Sequence, residues 1–453
     1  MTDPTPLGAG GRIRQRERDA IVQSLRAGVV PRVGQQHVQV GRVAEVRAML
    51  VDLARIADGG AASRFVIGEY GSGKTFFLHL VRSIALERRM VTVHADLSPD
   101  RRLHAASGQA RSLYAELMRN LSTRAKPDGG ALPGVVERFV TQALAEARSS
   151  GKDPQAVIRS RLDSLAEMTG GYDFAEVICR YWHGYDSGVE QLRTDATRWL
   201  RGEFATRADA RAALGVRAIV DDATFYDHLK LMSRFVRMAG YDGLLVCLDE
   251  MANIYKLASA QARNANYEQL LRMVNDSLQG GATHLGLLFG GTPDFLLDTR
   301  RGVYSYPALA SRLAENTFAA EGLVDHSGPV LRLGNLSPED VYVLLTKLRH
   351  VYAAGDPSAY LVGDHALKAY MEHCAARIGD AYFRTPRETV KGFLDLLALL
   401  DQNPDLDWRT VIGAIRLAPE PDPTLAAPPD PGSPAAGAAG GPVDDDELTS
   451  FRL

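Results

Sequence analysis

Apolar residues recur with helical spacing over residues 13–26 and again from about Val43 to Ile56, and five short apolar runs further along read as strands. The runs are Arg64-Phe65-Val66-Ile67, Met90-Val91-Thr92-Val93-His94-Ala95-Asp96, Leu244-Leu245-Val246-Cys247-Leu248, Leu285-Gly286-Leu287-Leu288-Phe289 and Val330-Leu331-Arg332-Leu333. Helical segments separate them, which predicts an α/β fold with a parallel sheet. Residues 101–239, between the second and third runs, are helical in period almost throughout, with turn signals at Pro127-Asp128-Gly129-Gly130, Gly151-Lys152-Asp153-Pro154 and Gly170-Gly171. Tyr181, Trp182 and Trp199 fall within that periodicity and are expected in the core rather than on a base-stacking platform. After the fifth run, Ser337 is placed to cap a helix with Pro338 at its first position.

These patterns divide the chain into a disordered N-terminus (1–10), N-terminal helices with the first part of an α/β core (11–100), a helical insertion (101–239), the second part of the core (240–334) and an all-helical C-terminal domain (335–417). Residues 418–453 form a tail of proline, alanine, glycine and acidic residues that cannot bury enough surface to order itself. Its last ten residues return to apolar side chains after Asp444-Asp445-Asp446-Glu447, which suits either a solubilising tail or a tethered docking peptide.

The first strand runs into Gly68-Glu69-Tyr70-Gly71-Ser72-Gly73-Lys74-Thr75, a complete G-x4-G-K-[ST] phosphate loop, and an apolar helix follows from Phe76. Glycines at 68, 71 and 73 let successive N–H groups face a phosphate, and the helix N-terminus adds partial positive charge. Lys74 is expected to reach the β- and γ-phosphates of ATP, with the Thr75 hydroxyl on Mg²⁺. The third strand ends in Asp249-Glu250, where Asp249 would hold Mg²⁺ through water and Glu250 would polarise the attacking water. Thr292, after the fourth strand, suits either a γ-phosphate contact or a turn before Pro293. Arg312 is the expected finger into a neighbouring subunit, with Arg300 and Arg301 as competitors, and Arg387 beside Pro386 is placed to reach back to the γ-phosphate.

Composition narrows the picture little. The 453 residues are 45% hydrophobic and 24% charged with a formal charge of −3, so a nucleic-acid site must be a local patch. Cys179, Cys247 and Cys374 are far apart, lack zinc spacing and read as core residues. No run approaches a membrane span and no leader pattern opens the chain, so a cytoplasmic, membrane-free protein is expected.

With these pieces in order the sequence resembles an AAA+ ATPase of the ORC/Cdc6-like group over about residues 20–415. Residues 40–45 look like the Gly-Arg-x-x-Glu motif that contacts adenine, which puts Gly41 and Arg42 at the base. The resemblance makes residues 68–75 the Walker A motif, residues 245–250 the Walker B motif, Thr292 sensor 1 and Pro386-Arg387 sensor 2. More narrowly, residues 26–34, 37–42, 67–77 and 384–388 resemble the BREX-type ATP-binding family BrxD, which accompanies bacteriophage-resistance gene clusters, often beside a helicase. The resemblance implies self-association through AAA+ faces, a helicase or other phage-defence partner, and a role at double-stranded DNA. About 175 residues separate Lys74 from Asp249, more than a compact module needs, so the insertion is expected to carry what is particular to this chain. A helix-turn-helix signature is absent, and direct reading of DNA sequence is not expected. Two activities stay open: an ATPase that remodels or loads a DNA-acting partner, and a nucleotide-dependent switch or scaffold with little turnover.

Overall fold

Five parallel strands build the centre of the molecule: β1 (Ala61–Ile67), β2 (Val91–Asp96), β3 (Leu244–Asp249), β4 (Leu285–Gly291) and β5 (Val330–Arg332), in spatial order β2-β3-β4-β1-β5. The computed structural model describes residues 12–105, 107–316, 325–378 and 386–414, all within one compact unit. The expected N-terminal disorder, the acidic tail and Arg384-Thr385 lie outside the described residues.

Because the sheet is covered on both faces, its strands are apolar without alternation, and all six residues of β3 are buried. Successive side chains nevertheless point to opposite faces. Phe65, Ile67, Val91, Val93, Leu244, Val246, Leu285, Leu287 and Phe289 join one core, while Val66, Leu245, Cys247 and Leu288 join another under helices Val43–Ala57 and Lys74–Glu87. Each fully buried aliphatic or phenyl side chain contributes roughly 1.5–3 kcal/mol.

The long helical insertion packs on the first of these faces and has no core of its own. Phe139, Phe174, Trp199 and Phe235 belong to the same buried cluster as the sheet residues. Tyr181, Trp182 and Trp199 are buried, as the periodicity predicts, and the Trp199 indole donates to the Ala218 carbonyl at 2.8 Å. All three cysteines are buried and free. A third core gathers the helices Pro338–Tyr352, Asp364–Ile378, Pro386–Gln402 and Trp408–Ala414 with the N-terminal helix Gln15–Arg26, through Ile21, Val22, Leu345, Tyr370, Phe393 and Leu397. The Ser337 hydroxyl caps the first of these helices, and Asp340 returns the bond to the Ser337 N–H. Among the described residues no helix is long and apolar enough to cross a membrane.

Candidate functional site

The site begins where β1 ends. Gly68 N–H donates to the Gly291 carbonyl at 3.2 Å, and the loop then turns through Gly71 at φ 80° and Gly73 at φ 88° into the helix Lys74–Glu87. Those φ values favour glycine. A side chain at Gly68 would collide with Ser72 Oγ, whereas the space beside Gly73 is open. Lys74 Nζ donates to the carbonyls of Gly68 and Glu69, each at 2.9 Å, so the ammonium sits over the loop. Together with the first-turn N–H groups it makes a cradle for anionic oxygens.

Strand order brings the second half of the site to this cradle. Neighbouring strands lie about 4.8 Å apart, and β4 separates β1 from β3, so a gap of about 10 Å must be bridged. The helix Lys74–Glu87 bridges it by packing across β2, β3 and β4. In its first turn Thr75 Oγ1 donates to Asp249 Oδ2 at 2.7 Å, joining residues 174 positions apart. Gly290 of β4 makes room for the contact, because a Cβ there would fall on Asp249 Oδ1 and 2.9 Å from Leu78 Cδ1. Gly290→Ala is therefore expected to displace Asp249 and to cost about 1–3 kcal/mol of stability from overpacking. An unchanged melting temperature in Gly290→Ala would show that Asp249 does not depend on that space.

Glu250 follows at φ 57°, a left-handed conformation uncommon for a residue with a Cβ, and its N–H donates to Asp249 Oδ1 at 2.9 Å. The turn sends its side chain into the mouth of the adjoining cleft. Partial desolvation there, with the like charges of Asp249 and Asp96, raises the Glu250 pKa against the opposing pull of Lys74 and Lys256. Contact with solvent limits the effect. Asp96 ends β2 in register with Asp249, and desolvation and the Asp249 charge raise it as well, although it too reaches solvent. His79 and His94 lie behind Thr75 and Asp249 on a cavity of about 30 Å³. Burial, then Arg82, pushes their pKa values down to about 4 and about 3, so neither adds positive charge near neutral pH. Asp96, His79 and His94 were not singled out by the sequence, since no short motif contains them.

A cleft of about 230 Å³ opens beside the loop, lined by Lys74, Thr75 and Glu250 on one side and by Val29, Val38 and Val390 on the other. Arg387 enters it from the helix Pro386–Gln402 and donates to the Tyr70 hydroxyl at 2.9 Å. Arg42, at φ 61°, ties the loop to the segment after β5 by donating to the Ser72 carbonyl at 3.1 Å and the Gly334 carbonyl at 2.5 Å. Gly41, at φ 63°, lies against the Asp340 carboxylate, 3.2 Å from where its Cβ would be. Thr292 sits one residue beyond β4, and its hydroxyl accepts from Phe295 N–H at 3.4 Å to cap a short helix. Arg312 is exposed, donating to Asn275 Oδ1 at 2.8 Å, while Arg301 is tied to the carbonyls of Tyr255 and Leu257.

A family model described as BREX system ATP-binding protein BrxC/D matches residues 13–416, a span that contains every residue of this site. The chain belongs to that family. No curated protein matches it significantly. The BrxC/D description is ATP binding, and the geometry fits the ligand: a glycine cradle, a lysine over it, and an apolar cleft beside it. Among the described residues no three His, Cys, Asp or Glu side chains converge to hold a metal by themselves. A Mg²⁺ that keeps phosphate and water ligands needs no such cage, and Thr75 Oγ1 and Asp249 Oδ2 lie 2.7 Å apart beside the loop.

Proposed function

We propose that this BrxC/D-family chain is an AAA+ ATPase that couples ATP hydrolysis to remodelling or loading a DNA-acting partner in phage defence. The observation that carries it is the 2.7 Å bond between Thr75 of the phosphate loop and Asp249, with Glu250 turned into the same cleft. Bound Mg²⁺ would neutralise charge on the β- and γ-phosphates. Lys74 and the loop N–H groups orient the phosphates, and Arg387 reaches the same cleft from the C-terminal helices, placed to act on the γ-phosphate. Glu250, whose pKa is raised by desolvation and the neighbouring carboxylates, is the better proton acceptor for it and lines the same cleft, where it can take a proton from water.

Exposed Arg312, whose side-chain partner among the described residues is the neutral Asn275 amide, is available to a neighbouring subunit, which supports assembly through AAA+ faces with the arginine acting in trans. Arg42 lines the cleft with Gly41 next to it in sequence, which we read as a role at the base, and Thr292 beside Gly291 keeps its hydroxyl proton for a donor role near the γ-phosphate. A helicase or another defence protein, and double-stranded DNA, are the partners this reading calls for.

Steady-state ATP hydrolysis by the full chain with and without double-stranded DNA tests the proposal. The expected result is Mg²⁺-dependent turnover that rises severalfold with DNA. Tight ATP binding with negligible turnover in both conditions would replace it with a nucleotide-dependent switch or scaffold.

A further inference from the structure

Tyr70 falls between Gly68 and Gly71 in the phosphate loop and lines the cleft beside it. Its hydroxyl accepts from Arg387 Nη1 at 2.9 Å, and the guanidinium carbon lies 5.5 Å from the centre of its ring. The two residues are 317 positions apart. The Arg387 stem also passes close to Gly28, its Cδ 3.3 Å from where a Cβ would be, and Gly28 has φ 70°. A tyrosine, an arginine stem and a bare glycine thus meet from three separate parts of the chain at the edge of the cleft.

We propose that Tyr70 is a positioning residue that holds the Arg387 guanidinium over the phosphate loop, ready to bind the terminal phosphate of ATP. The inference rests on reading the cleft as the ATP site. An arginine that docks on phosphate from solution loses much of its rotamer freedom, and a side chain that already confines it lowers that loss. Tyrosine suits the task because its face attracts a guanidinium and its hydroxyl accepts one bond. The hydroxyl is also a neutral acceptor. A phosphate oxygen makes the stronger, charge-assisted bond, so the contact with Tyr70 can give way to phosphate. Alanine at Tyr70 removes both contacts, and phenylalanine removes only the bond.

Equilibrium binding of ATP and of ADP in Mg²⁺ by the full chain tests this, using wild type, Tyr70→Ala, Tyr70→Phe, Arg387→Ala and the Tyr70→Ala/Arg387→Ala double variant. Tyr70→Ala should weaken ATP binding about tenfold and ADP binding much less, with Tyr70→Phe in between. The double variant should bind ATP no more weakly than Arg387→Ala alone. An equal loss for ATP and ADP, or the same factor in both the wild-type and Arg387→Ala backgrounds, would mean that Tyr70 does not act through Arg387 and would overturn the proposal. A wild-type chain that binds neither nucleotide would instead overturn the reading of the cleft, and with it this step.

Discussion

Lys74→Ala is expected to lose ATP binding by about a hundredfold or more while the fold survives. The size follows from position: the ammonium is a full charge above the loop, 2.9 Å from the carbonyls of both Gly68 and Glu69, where it can be shared with phosphate oxygens. Charge-assisted bonds to phosphate are about twice as strong as neutral ones, and losing two of them corresponds to about 3 kcal/mol or more. The fold should persist because the side chain is not part of any buried cluster, while Phe77, Leu78 and Val81 of the same helix anchor it on the sheet. Lys74→Arg is not a conservative control, since a planar fork does not replace a compact point charge among close carbonyls. Thermal unfolding separates the effects. Wild type at about 100 times its Kd for ATP gains about 2.7 kcal/mol, which raises Tm by several degrees. Lys74→Ala should match the wild-type Tm without ATP and gain about 0.4 kcal/mol or less from its addition. An equal ATP-dependent rise in the variant would remove Lys74 from the site.

What the sequence made legible was local. The phosphate loop announces itself because glycine spacing, the lysine and the hydroxyl all sit within eight residues, and β3 ends in its acidic pair where an apolar run stops. The cap at Ser337 was readable for the same reason. What escaped depends on neighbours distant in the chain. No pattern near residue 290 says that Gly290 leaves room for Asp249, because that need arises only once β4 is placed beside β3. Nor does the amphipathic pattern of Gln15–Arg26 say which surface will cover it. The partner proves to be the C-terminal helices, with Arg26 paired to Asp395 at 2.8 Å and the Arg18 guanidinium 4.7 Å from the Tyr352 ring centre.

The insertion shows the same limit at larger scale. Its helical periods are clear in the sequence, yet helical period identifies only an apolar face and not its cover. Since Phe139, Phe174 and Phe235 pack into the core that includes Val93 and Val246, the segment 101–239 supports the sheet that carries the site. Arg82 of the phosphate-loop helix adds a polar link to it, donating to Ser122 Oγ at 3.3 Å and the Pro127 carbonyl at 2.7 Å. The insertion is thus tied by packing and hydrogen bonds to the elements that present Lys74 and Thr75.

Glu250→Gln should keep ATP binding and lose turnover by about 10²–10⁴, the range for a removed general base. Glutamine has nearly the same volume and leaves the φ 57° turn and the N–H bond to Asp249 undisturbed, so the phosphate loop, Thr75 and Asp249 keep their places. Two pH dependences follow from the raised pKa of Glu250, and they differ in sign. A general base must be ionised to work, so wild-type turnover should fall on acidification at a higher pH than an ordinary glutamate would impose. Stability runs the other way. A carboxyl whose folded-state pKa is raised favours the fold while it is protonated, below its unfolded pKa, and that contribution is lost as pH rises through the folded value. Wherever Glu250 is ionised its charge is repelled by Asp249 and Asp96, a cost that glutamine lacks. Glu250→Gln should melt no lower than wild type at pH 7, and any advantage should vanish in acid below the ordinary glutamate range. Equal turnover in the two proteins would take Glu250 out of the mechanism; a large loss of ATP binding in the variant would show that Glu250 holds the nucleotide rather than the water.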